Sequence, residues 1–366
     1  MVARTWVVKP LQTHLVGMIS PEEKFMVNIL YRAESEILNG IDINSINFEN
    51  LIKLASSHLM LPALYFNINK KNHSHLFPDD FIDYIKNIYS INKARNTVLL
   101  SEAKDLSELL YKNNIKHIFL KGTALLLSNV FEDIGERMVG DIDFIIQRKD
   151  EQKVKKVLEK NNYCTSSNHV DSYRVFKPKH LPRMVNKNKK IAIEPHLELL
   201  SPKYRGFFNS KKLINTFKEE IIAIKTPNEP FLFDHCIYAL QFEDKGFFNS
   251  NHSHRSIYDI YKLDCKKSLT IKNINKDICI KYFFLTIAKF KIFDIPIASS
   301  LSRNCLDKLL IQLFKVSVHI ENIYLKNLIL IQLFFNSELR GRALNKIRIH
   351  YSQRSLLNYI YRWLKP

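Results

Sequence analysis

Between Asn114 and Leu199 the apolar residues change their spacing, and that change constrains the fold more than any other feature. Before it, apolar side chains recur at helical intervals. Ser20-Pro21-Glu22-Glu23 reads as a helix start, with a capping serine, proline at the first helical position and acids in the first turn. Further helices are expected near Phe48–His58, Leu61–Ile68 and Pro78–Tyr111. From Asn114 the pattern turns strand-like. Residues 115–120 (IKHIFL) read as a strand, Lys121-Gly122-Thr123 as a turn and 124–131 as a helix. Residues 132–140 read as a polar loop and 141–146 (DIDFII) as a strand entering a core. An amphipathic helix is expected at 149–163, and strands at 172–177 and 190–199. Helical spacing then returns at 227–242, 253–263, 278–293, 302–318 and 323–344, while 1–19 has no clear period and reads as a loose arm. This order predicts an α+β fold with a small mixed sheet between helical regions. The expected division is 20–110 helical, 111–202 sheet-bearing and 203–366 helical.

Composition narrows the choice. Glycine is scarce, 8 in 366 residues, against a usual share of about 7%. That disfavours propellers, glycine-rich barrels and dinucleotide folds. With 46% hydrophobic and 25% charged residues the chain reads as folded and soluble. Five scattered cysteines without a Cys-x-x-Cys pair read as reduced, mostly buried thiols in a cytoplasmic protein. The N-terminus has no apolar core fit for a signal peptide. The apolar run at 328–335 is far shorter than the roughly 20 residues that cross a bilayer. The net charge of +19 fits a polyanionic partner. Compositional drift in a Lys-, Asn- and Ile-rich chain explains it equally well.

The chemistry concentrates in the strand-like island. Asp141 and Asp143 are two apart on a strand and so point the same way. Carboxylates held side by side repel unless a cation lies between them, and oxygen ligands suit Mg²⁺. The following Phe144-Ile145-Ile146 argues that the strand is buried. On the strand at 190–199, alternation puts Glu194, His196 and Glu198 on one face. A third acid on a neighbouring strand is what two-metal phosphoryl or nucleotidyl transfer uses. Pro195 sits inside this strand, whereas proline is normally confined to edges, so Glu198 stands as the alternative to Glu194 for the third acid. Lys121-Gly122-Thr123, at a strand end, is a turn where backbone N–H groups and a hydroxyl can approach phosphate. Arg137 could counter phosphate charge with its planar fork, or be an ordinary loop arginine. His196 reads as a substrate contact, a base or a support for the acids. Arg255 and Asp259 read as a surface pair at i,i+4.

Lys121-Gly122-Thr123, a helix, Arg137, Asp141-Ile142-Asp143 and then Glu194-Pro195-His196 resemble the nucleotidyltransferase superfamily with the polymerase-β-type palm. The nearer resemblance is to the bacterial uncharacterised nucleotidyltransferases, which also carry a helical phrase like residues 54–68. It covers about Phe48–Pro202. Thr123 departs from the usual glycine or serine but keeps a hydroxyl. The resemblance implies a polymerase-β-like palm and transfer of a nucleoside monophosphate from an NTP to an acceptor hydroxyl. It also implies Mg²⁺, two ions during turnover, on Asp141, Asp143 and Glu194. Nucleotide contacts would fall on Lys121, Gly122, Thr123, Arg137 and His196.

The acceptor is less defined. Residues 177–190 contain Lys177, Lys179, Arg183, Lys187, Lys189 and Lys190 without an acid. Residues 340–366 interleave basic side chains with Tyr351, Tyr359, Tyr361 and Trp363, the composition of a single-strand-binding surface. The first stretch reads as a lip that contacts an anionic acceptor or as a solvated hairpin tip, and the second can equally be an amphipathic helix docking its aromatics on the body. RNA or a protein hydroxyl, in a toxin- or defence-like role, is the favoured acceptor. The alternatives are a small molecule, or an idle palm that binds nucleic acid or protein.

Overall fold

The computed structural model describes residues 19–33, 42–165, 179–201, 204–208, 213, 224–246, 252–266 and 277–293. These form a mixed α+β fold on one five-stranded sheet. α1 (Pro21–Tyr31) is capped by Ser20, whose hydroxyl accepts from the Glu23 N–H at 3.1 Å. α2 (Phe48–Ser57) is capped by Asn47, and α3 (Leu61–Lys70) follows it closely. α4 (Asp79–Lys112) has 34 residues, hence a length of roughly 51 Å. Asp79 and Asp80 in its first turn and Lys112 in its last suit the helix dipole. The chain leaves α4 through Asn114, at φ 51°, a left-handed exit that asparagine tolerates.

β1 (His117–Phe119), β2 (Ile142–Ile146), β3 (Tyr163–Thr165), β4 (Met184–Asn186) and β5 (Ile193–His196) lie in the order β1-β2-β5-β4-β3. Only β2 and β5 are parallel, with Asp143 opposite Glu194 and Ile145 opposite His196. α5 (Lys121–Leu127) links β1 to β2, and α6 (Glu151–Lys160) links β2 to β3. Side chains alternate across the sheet. Phe119, Phe144, Ile146 and Ile193 face the main core with Leu99, Leu106 and Leu110 of α4 and Val154 and Leu158 of α6. Ile118 and Ile145 face the other way, into a smaller cluster with Leu120, Leu199 and Leu213. Asp143, Glu194 and His196 share this second face.

α7 (Glu229–Tyr238), continued by a π turn at Ala239–Glu243, packs on α5. α8 (His254–Lys266) and α9 (Ile278–Ile287) pack on α7. The two helical regions also touch each other. Asn67 of α3 donates to the Tyr258 hydroxyl at 2.9 Å, and Arg32 donates to the Phe290 carbonyl at 3.1 Å.

Several expectations change. The helix after β1 starts at Lys121, not Ala124. The helix expected over 149–163 stops at Lys160, and Asn162, at φ 64°, turns the chain into β3. β4 lies inside the basic stretch, where Met184-Val185 is too short an apolar run to show a period. β5 is not an edge strand. Pro195 is tolerated because its carbonyl accepts from Leu181 N–H at 2.8 Å, so its ring nitrogen faces that same side, away from β2. There β4 pairs with β5 only at Met184–Ile193. Cys164 is exposed, unlike Cys279. The strand expected at 172–177, the helices at 302–318 and 323–344, and the basic tail at 340–366 lie outside the described residues. Among the described residues no helix is long and apolar enough to cross a membrane.

Candidate active site

The segment leading into β2 is polar yet held on both sides. Arg137 is buried and forks onto Asp259 of α8, with Nε–Oδ1 2.6 Å and Nη2–Oδ2 2.8 Å. Beside it Tyr258 donates to Glu136 at 2.5 Å, and Lys262 lies 3.0 Å from the same carboxylate. From α4, Asn92 donates to the Gly135 carbonyl, Asn96 to those of Ile134 and Arg137, and Arg95 to that of Gly140, all at 2.6–2.7 Å. Most of these buried polar groups are paired, which makes their burial tolerable, and Arg95 Nη1 and Asn96 Oδ1 are the atoms left over. The planar fork of Arg137 is thus spent on Asp259 and fixes the approach to β2. Asp259 is itself buried, so it is not half of a surface pair.

Two residues past the end of β1, Lys121 opens α5 with a left-handed φ of 50°, a conformation that costs a non-glycine residue about 1–3 kcal/mol. The backbone freedom expected of Gly122 is therefore used one residue earlier. Gly122 is needed for space instead: a Cβ there would lie 2.9 Å from Val139 Cγ2. Thr123 is buried, and its hydroxyl donates to the Asp141 carbonyl at 3.1 Å. The three residues thus brace the two strands that bear the acids.

The parallel register sets Asp143 beside Glu194. Between them stands the ammonium of Lys121, 2.5 Å from Asp143 Oδ1 and 3.5 Å from Glu194 Oε2. His196 is fully buried, with Nε2 2.7 Å from Asp143 and 3.1 Å from Glu194. The cation that paired carboxylates require is supplied by the chain itself. Burial would raise the Asp143 carboxyl, but Lys121 and His196 outweigh it and hold Asp143 well below the usual range. Glu194 is likewise lowered against burial by His196 and Lys121. Burial lowers Lys121, yet Asp143, Glu194 and Asp141 together raise it. Asp141 moves the other way. Burial and the charges of Asp143 and Glu194 raise it, despite Lys121 and Arg183.

Other neighbours escaped the sequence patterns. Arg183 Nε lies 3.6 Å from Asp141, and His180 Nδ1 lies 3.6 Å from Glu194. Lys179 pairs with Glu243 at 3.3 Å, and Lys189 pairs with Asp105. The stretch read as an acceptor lip or a solvated tip is therefore partly neutralised by the fold. Its single histidine was the available sign of a second role. Glu198 pairs with Arg148 at 3.1 Å. His235 of α7 is buried and lowered to about 3 by burial and by the nearby charges of Lys121, Lys179 and His196.

Asp143, Glu194 and His196 bring three potential ligand atoms within 4.8 Å of one another. Adjacent carboxylate oxygens suit a hard divalent cation, so the donor set fits one. A sheet that pairs acids across parallel strands, under a lysine at a strand-to-helix turn, matches the order of motifs in the sequence. The sequence model of the uncharacterised nucleotidyltransferase family matches residues 44–268, more than half of the chain, and the chain belongs to that family. Membership carries a general nucleotidyl-transfer function with a nucleoside triphosphate as substrate. No curated protein and no solved structure matches the chain.

Proposed function

We propose that the chain transfers a nucleoside monophosphate from an NTP to an acceptor hydroxyl, on a polymerase-β-like palm formed around β2 and β5. The acceptor oxygen forms a bond to the α-phosphorus, and the bond to the β-phosphate oxygen breaks. Pyrophosphate leaves with the electron pair, and the acceptor proton passes to a carboxylate of the cluster. The observation that supports this best is the Asp143–Glu194 register on adjacent parallel strands, with Lys121 and His196 on both acids. Asp141, Asp143 and Glu194 would hold Mg²⁺, which when bound neutralises phosphate charge and acidifies the acceptor hydroxyl. His196 orients the two acids. Lys121, 33% exposed, presents positive charge to an anionic substrate. Gly122, Thr123 and Arg137 act through the backbone they brace.

The test incubates the purified full chain with α-labelled NTPs and Mg²⁺, then with total RNA, protein or small metabolites. Label should pass to one of these acceptor classes. Asp143→Asn and Glu194→Gln should each lower transfer on the order of 10³-fold, as when a charge-stabilising group is removed from a transition state. Transfer that survives both substitutions would overturn the assignment. Label bound but never transferred would favour an idle binding module.

A further inference from the structure

A second cluster shares no residue with the acids. His58 follows the end of α2, His252 precedes α8, His254 opens α8 and Glu23 lies in the first turn of α1. The three imidazoles bring one potential ligand atom each within 4.8 Å of the others. Their rings are 4.8–5.9 Å apart between centroids. Glu23 Oε1 lies 2.8 Å from His252 Nε2 and 3.1 Å from His254 Nε2.

The two Glu23 contacts are near the edge length of a small tetrahedron. Ligand bonds of about 2.05 Å around a tetrahedral zinc give ligand–ligand edges of about 3.3 Å. The hydrogen bonds of the cluster leave one buried nitrogen over. His254 is fully buried, yet its Nδ1 has no hydrogen-bond partner. Phe290 walls the cluster, with ring centroids 5.0 Å from His252 and 5.1 Å from His254. His58 Nδ1 accepts from the His254 N–H at 3.4 Å, which ties the end of α2 to the start of α8.

We propose that Glu23, His58, His252 and His254 form a closed, four-ligand structural zinc site that clamps α1 and α2 to the start of α8. Three imidazoles and one carboxylate suit Zn²⁺ rather than Mg²⁺ or Ca²⁺. On loading, each Nε2 proton that now faces Glu23 shifts to Nδ1 of its own ring, or passes to solvent where the ring carries two protons, and the freed Nε2 lone pair takes the metal. With four protein ligands, no position is left for substrate. The consequence reaches the acids through α8, whose Tyr258, Asp259 and Lys262 hold Glu136 and Arg137 before β2.

The experiment measures zinc in the full chain purified without chelator, and in metal-free chain titrated with Zn²⁺. About one zinc per chain is expected. His58→Gln with His252→Gln should lose it, whereas Asp143→Asn and Glu194→Gln should retain it. In wild type, dipicolinate should lower Tm by several degrees and added zinc should restore it, which decides the matter even if the histidine variants fold poorly. Cobalt in place of zinc should show the intense visible bands of a tetrahedral site. Failure of metal-free wild type to bind zinc, or a Tm indifferent to chelator, would overturn the proposal. Zinc that persists in the histidine variants but leaves with Asp143→Asn would do the same.

Discussion

The acid cluster on β2 and β5 and the histidine cluster on α1, α2 and α8 use similar side chains in opposite proportions. The first has three carboxylates, one imidazole and a lysine; the second has three imidazoles and one carboxylate. Carboxylates at neutral pH always demand a cation, and Lys121 meets that demand from within. Imidazoles carry no obligatory charge, so packing alone can bring them together. The first arrangement suits charge that comes and goes with substrate, and the second suits a permanent clamp. α8 joins them, since His254 begins it and Asp259 one turn further grips Arg137.

The sharpest way to break this comparison is to cut that link. Asp259→Asn leaves Arg137 buried without its counter-charge, and should cost about 3–5 kcal/mol in urea unfolding. Replacing both partners, Arg137→Met with Asp259→Leu, should recover most of it, because removing a whole buried pair is far milder than breaking one. Equal losses in the single and double variants would show that the fork has no special role.

A smaller effect tests the acids, with chelator present. Asp143 is held below its ordinary pKa, so its ion pairs stabilise the fold above the unfolded value and are lost as pH falls through the folded one. Asp141 is raised, so its ionisation costs stability as pH rises from the unfolded value through the folded one. Asp143→Asn should therefore lower Tm at pH 7, and Asp141→Asn should raise it, with the second difference vanishing near pH 3. Two shifts of the same sign at pH 7 would refute the charge arrangement. The mildest change is Gly122→Ala. Overpacking against Val139 should cost about 1–2 kcal/mol, and Val139→Ala should relieve it. No relief would place the cost in the backbone rather than in the contact.

Much of this was legible in the chain. Helix starts followed from caps and prolines, as at Ser20-Pro21, and β2 from a short apolar run behind two acids. Asp143 and Glu194 could be expected on one face because strand alternation is local, while Asp141 lies one residue before β2. What stayed hidden depends on partners distant in sequence. Nothing near Arg137 announces Asp259, and nothing near Glu23 announces His252 and His254. Lys121 looked like a phosphate ligand because its neighbours are a glycine and a threonine. Its ammonium proves to be the counter-ion of Asp143, a fact set by the register of β1 on β2.

α4 has one more consequence, for what evolution can do with this chain. A single rod positions three places in the sheet. Asn92, Arg95 and Asn96 hold the run-up to β2, Glu102 accepts from the Lys190 and Ile191 N–H groups before β5, and Ser107 meets His117 of β1. Roughly 22 Å of helix separates the first of these grips from the last. One inserted residue between them would turn everything beyond it by about 100°, setting β1 and β5 out of phase with β2 at a stroke. Length variation between Asn92 and Ser107 is therefore closed to descendants of this chain, however freely the exposed face of the same helix changes its letters.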